Sequence, residues 1–480
     1  MYYPKLEEIK RLKGKGTMVP IYRDVVADLE TPVSAFLKIN HGGNSFLLES
    51  VEGGQQLARY SFIGTEPYKT ITTSSGDNID PLPLIAEEIE KHKVVPVRGL
   101  PRFCGGAVGY LAYEVATRFE EIPSPDTDNL KLPESLFMFV NTMLVFDHVT
   151  HRIKVLSYVE LDGDIDSSYA QAVARIEALV DRLKQPLKQA LPEKKKITGK
   201  SQGKITSNMT KKAFMDIVAR AKQYITAGEA IQVVLSQRLS QQVAVEPFNI
   251  YRALRSINPS PYMFFFDFKE FYIIGASPEI LVRVEDGTVM TRPLAGTRQR
   301  GKNPEEDLRL EKELLSDEKE RAEHIMLVDL GRNDIGRVSE KGSVEVSDLM
   351  EVERYSHVMH LVTHVQGRLR NDMTAFDALK ACFPAGTVSG APKVRAMEII
   401  AELEPQKRGP YAGAAGYFSF SGNMDMAIAI RTMVVKDSVA YTQVGCGVVY
   451  DSLPEREYQE TINKARALLK AVDQAQKGAD

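Results

Sequence analysis

The chain has 480 residues, with 61 Lys and Arg against 64 Asp and Glu, a formal net charge of −3. That balance leaves no basic field to recruit nucleic acid, and no apolar run is long enough to span a bilayer. Apolar content of 43% and charged content of 26% suit a soluble globular protein, and the length suggests two or more domains' worth of mass. Cys104, Cys382 and Cys446 are odd in number and far apart, so there is no disulfide framework and no CxxC zinc pattern. The start, Met-Tyr-Tyr-Pro-Lys-Leu-Glu-Glu, lacks an apolar signal core, and the reading is a cytoplasmic protein.

Residues 1–30 are charged and helix-prone. Phe46–Ser50 and Tyr60–Gly64 read as short strands, and Pro83–Lys93 as a helix. Phe103–Ala112 is dense in glycine and apolar residues; Leu136–Val140 and Thr142–Phe146 read as buried strands; Ile153–Val159 alternates like a half-buried one. From Asp166 to Gln185 helical spacing puts Ala170, Val173, Ile176, Leu179 and Val180 on one face. Residues 186–207 are basic, polar and poor in core formers, a solvated linker. It separates an N-terminal region, 1–185, from a second region, 208–480.

Thr210–Ala227 is an amphipathic helix stopped by Gly228. Ile231–Leu239 is a strand, and Met263–Phe268 with Phe271–Gly275 form a hairpin continued by Ile280–Val284 and Thr288–Thr291. A long charged helix runs from about Pro304 to Asp329, followed by strands within 344–368 and 413–450 and a helix from Pro454. Strands come in blocks without regular βαβ alternation, which favours an α+β fold with large antiparallel sheets. Gly105–Leu111 echoes Ala412–Phe418, as corresponding strands of two related halves would.

Several clusters carry potential chemistry. Glu320/Glu323 and Glu457/Glu460 are Glu-x-x-Glu pairs, each on one helix face. Two such faces meeting would offer the oxygen ligands that Mg²⁺ prefers. The apolar run after Glu323 points its face toward a core, where an unpartnered carboxylate is costly. His357, His360 and His364 would align for zinc on a helix, but strand-like surroundings put His357 and His360 on opposite faces. Arg292, Arg298 and Arg300 with two glycines and Thr297 make an anion cradle. Arg431 lies in the apolar stretch Met426–Val435, reads as a strand residue and needs an anionic partner. Gly445 and Gly447 offer bare amides beside Cys446, which reads as packing. Residues 380–396 crowd Gly386, Thr387, Ser389 and Gly390 before a helix starting at Pro392, an anion-ready turn. The inventory points to a small polycarboxylate bridged to the protein partly through Mg²⁺.

Arg292-Pro-Leu-Ala-Gly-Thr-Arg, the run from Asp317 to Asp334, Phe383–Lys393 and Glu457–Ala467 together resemble the chorismate-utilising enzymes, most closely anthranilate synthase component I. The resemblance is dense over 210–470. It implies a β-sandwich core of large antiparallel sheets with helices packed outside, 208–480 carrying catalysis and 1–185 carrying regulatory tryptophan-binding elements. By the same resemblance, Glu323 and Glu460 hold Mg²⁺, with Glu320 and Glu457 acting through water. Gly296, Thr297, Tyr411, Arg431 and the backbone of Gly445, Cys446 and Gly447 contact chorismate, and Thr387 sets a hydroxyl beside it. Glu279 protonates the departing 4-hydroxyl, and His360 serves pyruvate elimination.

Two positions narrow the reaction. Isochorismate-forming relatives place a water-activating lysine where this chain has Gln232; glutamine is no such base, so ammonia is the nucleophile. Aminodeoxychorismate synthases usually carry an attacking lysine where this chain has Ala295. The resemblance therefore implies anthranilate formation, with aminodeoxychorismate synthase, or a non-catalytic tryptophan-sensing subunit, as alternatives. It also implies a glutamine amidotransferase partner delivering ammonia, a heterotetramer, and tryptophan inhibition through Glu49, Ser50, Pro261, Tyr262 and Met263. The chain contains no tryptophan, which suits an enzyme needed during tryptophan starvation.

Overall fold

The computed structural model describes residues 1–51, 59–187, 204–355 and 358–478. Two antiparallel sheets organise them. In the first, strands are ordered Met18–Val26, Arg152–Glu160, Thr142–Asp147, Tyr60–Thr65, Ser45–Glu49, Tyr262–Asp267, Phe271–Ser277, Thr432–Lys436, Val439–Val448, Gln232–Gln242 and Gly390–Ala391. In the second they are ordered Leu294–Gln299, Val358–Arg368, Thr288–Thr291, Ile280–Glu285, Met424–Ile428, Ala414–Ser419, Gly106–Leu111, Ser135–Val140 and Lys69–Thr73. Glu345–Arg354 pairs with Val358–Arg368 off this path.

Both sheets draw strands from both sides of the linker. Residues 1–185 and 208–480 thus share one pair of layers. Most of the linker, 188–203, lies outside the described residues; its end, Thr206–Ser207, pairs with Leu239 and Ser240.

Strand periodicity explains the layering. Side chains alternate faces. Phe46, Phe62, Phe264, Phe266 and Ile273 of the first sheet pack with Val108, Phe137, Phe139 and Phe418 of the second. Their neighbours Leu47, Ile63, Met263, Phe265 and Ile274 face the opposite way, onto the helices Pro32–Ile39, Ile165–Lys184, Pro247–Ile257 and Pro454–Lys477. The first sheet is therefore buried on both faces. That accounts for unbroken apolar runs such as Met-Phe-Phe-Phe, each such ring worth roughly 1.5–3 kcal/mol of burial. The result is the expected α+β sandwich with helices outside.

The echoed segments are neighbouring strands. Gly109 pairs with Gly416, Leu111 with Ala414 and Ala107 with Phe418, a local two-fold about the glycine pair. A Cβ on Gly109 would stand 1.9 Å from Leu136 O, and one on Gly416 2.1 Å from Asp425 O, so both glycines serve close strand approach.

Some local expectations are corrected. Residues 18–26 form a strand along Arg152–Glu160 rather than helix, because an edge partner overrides local propensity. The long charged helix is two, Pro304–Ser316 and Glu318–Gly336; Asp317 breaks it by capping Lys319 N and Glu320 N. Ala172, not Ala170, joins the buried face of Ile165–Lys184. Gly386–Ser389 forms one helical turn, and Pro392 caps the helix Lys393–Leu403 from outside. No helix among the described residues is long and apolar enough to cross a membrane.

Candidate active site

Two chain crossings between the sheets lie side by side. Glu279 sits where the chain leaves Phe271–Ser277 in the first sheet and enters Ile280–Glu285 in the second. Arg431 sits where it returns from Met424–Ile428 to Thr432–Lys436. Ala276 N donates to Arg431 O (3.1 Å) and Ile428 N to Glu279 O (3.0 Å), which locks the crossings together. Arg431 is thus not a strand residue as expected: it turns between sheets at φ +49°, a conformation that favours glycine. Arg431 is half-buried, desolvation disfavours its charge, and no carboxylate among the described residues lies within 4 Å of the guanidinium.

Beside the crossings opens a cavity of about 780 Å³. Its wall gathers Gln232, Glu279, Gly296, Glu320, Glu323, His360, Thr387, Arg431, Gly447, Glu457 and Glu460. Residues from widely separated stretches of sequence therefore share one space. Tyr411, Gly445 and Cys446 do not border it. Tyr411 packs against Gly445, where a Cβ would stand 2.5 Å from its hydroxyl. Cys446 is buried on the far face of its strand among Leu235, Ile399 and Ile400. Thr297 pairs with His360 in register, and its side chain lies outside the described atoms.

The carboxylate pairs face the cavity from two helices, Glu318–Gly336 and Pro454–Lys477. On the first, the core face is His324, Leu327, Val328 and Ile335, and Glu323 sits half-buried beside it. Gln232 Nε2 donates to Glu323 Oε1 at 3.0 Å. Burial raises the Glu323 carboxyl above its ordinary range; Gln232 opposes this, while Glu320 and Glu460 add to it. Burial likewise raises Glu457, and Glu460 adds to that. Arg298 holds Glu320 at 3.1 Å and Lys464 holds Glu460 at 2.7 Å. No three His, Cys, Asp or Glu side chains among the described residues are already gathered as a metal-holding group.

The proton-handling groups are set by burial. The Glu279 carboxyl is pushed up to about 8 by desolvation, which the nearby Thr387 hydroxyl partly offsets. Thr387 Oγ1 itself is buried with no hydrogen-bond partner among the described residues. His360 lies 3.0 Å through Nδ1 from Gly296 O. A carbonyl only accepts, so Nδ1 carries the proton and Nε2 is the unprotonated nitrogen. Burial lowers this imidazole to about 4, so it is neutral at pH 7. Gly296 makes the contact through a bulge, at φ +66°, that shifts the register between Ala295 and Thr297.

The expected arginine cradle is not one. Arg292 pairs with Glu353, Arg298 with Asp317 (2.7 Å) and Glu320, and Arg300 with Asp307 (2.9 Å on Nε). Carboxylates on the strand Glu345–Arg354, at the Asp317 cap and on the helices Glu318–Gly336 and Pro304–Ser316 claim these charges. Of the three histidines, His360 alone borders the cavity; His364 lies further along the strand, and His357 is outside the described residues. Sequence reasoning missed Asn463, Lys464 and Arg466 on the cavity wall. The signal was available: Lys464 is one helical turn after Glu460 and also donates to Gly445 O at 3.0 Å.

Glu49 and Met263 are direct cross-strand partners. Tyr251 (2.5 Å) and Arg255 (2.9 Å) bind the Glu49 carboxylate. Ser50 follows, and Val51 N donates to Ser260 O. Pro261 borders the large cavity, while the Tyr262 hydroxyl donates to Asp425 at 3.0 Å.

The family model of the chorismate binding enzymes matches residues 43–470, and the chain belongs to that family. It is 51% identical to anthranilate synthase component 1 of Acetivibrio thermocellus and 48% identical to that of Aquifex aeolicus, each over 490 positions and 99% of both chains. The crystal structure of anthranilate synthase component I from Streptococcus pneumoniae superposes with a TM-score of 0.76 at 41% identity, covering 93% of this chain and 99% of that one. Within the family the chain groups with the anthranilate synthase component 1 enzymes.

Proposed function

We propose that the chain converts chorismate and ammonia to anthranilate and pyruvate. The observation that carries the reading is Arg431: a half-buried, desolvated guanidinium with no carboxylate within 4 Å among the described residues, on the wall of a cavity that also holds two glutamate pairs. A dicarboxylate satisfies both ends, one carboxylate on Arg431 and the Gly447 backbone, the other toward the glutamates through a cation.

Glu323 fits Mg²⁺: it is half-buried, raised by its acidic neighbours, and held by an amide rather than by a lysine or arginine. Glu323 and Glu460 would hold the ion, with Glu320 and Glu457 acting through water. When bound, it supplies the positive charge that the substrate's ring carboxylate needs.

The chain's own residues handle the protons. Glu279, protonated at neutral pH, gives its proton to the leaving 4-hydroxyl. Gln232 is tied to Glu323 and has no basic nitrogen to activate water, so ammonia adds at C2. Ala295, a buried methyl, cannot attack the ring as a lysine would. His360, neutral, takes the ring proton whose loss accompanies pyruvate departure and aromatises the ring.

A glutamine amidotransferase subunit supplies the ammonia, and tryptophan inhibits through Glu49, Ser50, Pro261, Tyr262 and Met263. The strand pairing of Glu49 with Met263, next to a Pro261 on the cavity wall, supports that link. Incubating the purified chain with chorismate, ammonium and Mg²⁺ tests the reading: fluorescent anthranilate appears, and its absence overturns it.

A further inference from the structure

Behind Glu279 and Thr387 lies a second, small cavity of about 30 Å³. Glu279, Thr387 and Leu327 border both spaces; Asp334, Gly331 and Cys382 border only the small one. Its volume suits one or two waters, and it offers the two or more polar partners that a buried water needs: the two carboxyls and the Thr387 hydroxyl, which makes no hydrogen bond of ordinary geometry among the described residues. On its outer side Asp334 is held by Lys393 at 2.9 Å, and both side chains keep some contact with solvent, 13% and 12%. Lys393 is anchored in turn on Cys382 O at 3.0 Å.

We propose that water in this side cavity links Asp334 through Thr387 to Glu279 and returns the proton that Glu279 gives up in each turnover. The inference rests on the anthranilate-forming reading. In the addition step the C4–O bond breaks, the electron pair leaves with oxygen, and oxygen takes the Glu279 proton to depart as water. Ammonia forms the C2–N bond and releases its surplus proton to solvent. Glu279 is left as a carboxylate, and the large cavity is filled by the ring. The small cavity reaches Glu279 from the side away from the large cavity. Burial raises the Asp334 carboxyl above its ordinary range, and Lys393 opposes this. Asp334 is a positioning and relay residue that touches no reacting atom.

The test compares the wild type with D334N, D334E and T387V, each with chorismate, ammonium and Mg²⁺. D334N is expected to lose about tenfold in kcat, a part of the roughly 10²–10⁴-fold that general acid catalysis contributes, with an unchanged KM for chorismate. Its solvent deuterium isotope effect on kcat rises, and D334E restores both values. T387V shows the same raised isotope effect, which keeps the proposal open to refutation should D334N fail to fold. A D334N or T387V enzyme with the wild-type kcat and isotope effect overturns the relay, as does a D334N loss that D334E shares in full. A wild type that forms no anthranilate overturns the underlying reading, and the relay with it.

Discussion

His360 Nδ1 stands 3.0 Å from the carbonyl oxygen of Gly296, on the strand next to its own. The bulge at Gly296 turns that carbonyl toward the ring and so decides which ring nitrogen is basic. His360→Met removes the base while leaving Glu279 and the carboxylates in place. Ammonia addition is expected to continue and pyruvate release to stall. Chromatography of the reaction mixture should show an amino-enolpyruvyl intermediate in place of anthranilate.

The pH dependence follows from two buried groups. Glu279, raised to about 8, is the proton donor below that pH and loses the proton above it, so kcat falls on the alkaline side at about pH 8. His360, lowered to about 4, is already neutral above about pH 5, so it adds no acid limb near 6.5. Rate profiles from pH 5 to 9 check both. Glu279→Gln removes the alkaline limb together with roughly 10²-fold or more of kcat.

Arg431 is expected to act on binding. Arg431→Ala should raise KM for chorismate by roughly 10- to 100-fold, the worth of about 1.5–3 kcal/mol for hydrogen bonds to a charged group. The melting temperature should hold or rise, because removing a desolvated charge that no nearby carboxylate compensates does not weaken the fold. Steady-state kinetics and thermal unfolding together make the check.

Gly447 leaves room for Gln232. A Cβ there would stand 2.6 Å from Gln232 Nε2, the far end of a side chain that is able to move. Gly447→Ala should push Gln232 off Glu323 and lower kcat/KM by about tenfold, at a stability cost of roughly 1–3 kcal/mol. Gln232→Ala in the same background should add little further, since the two effects share one contact.

Away from the cavity, Arg408 and Glu404 pair at 2.7 Å with 2% exposure each, and Arg408 also donates to Val234 O and Val388 O. Glu404→Gln leaves a buried guanidinium uncompensated and should destabilise by about 3–5 kcal/mol. Urea unfolding at pH 7 measures it.

The sequence by itself determined most element types, residues 18–26 excepted, because period-two and period-3.6 burial are local properties of the chain. It showed the strands around Phe264–Phe266, the helix from Pro454 and both glutamate pairs. It also yielded the motifs that singled out Glu279, His360 and Thr387. It placed Arg431 in a strand, read Arg292, Arg298 and Arg300 as an anion cradle, and ran two helices together across Asp317. The first two share a cause, since the partners that correct them lie in another element; the third is a local cap, Asp317 on Lys319 N and Glu320 N, that the run of charges concealed. Only the tertiary structure decided that Glu279 and Arg431 occupy adjoining crossings between two sheets, since that juxtaposition depends on hydrogen bonds from Ala276 to Arg431 and from Ile428 to Glu279. Likewise, a carboxyl's pKa depends on what surrounds it. The burial that keeps Glu279 protonated, and the small cavity behind it, exist only once both sheets and the helix Glu318–Gly336 have closed around it.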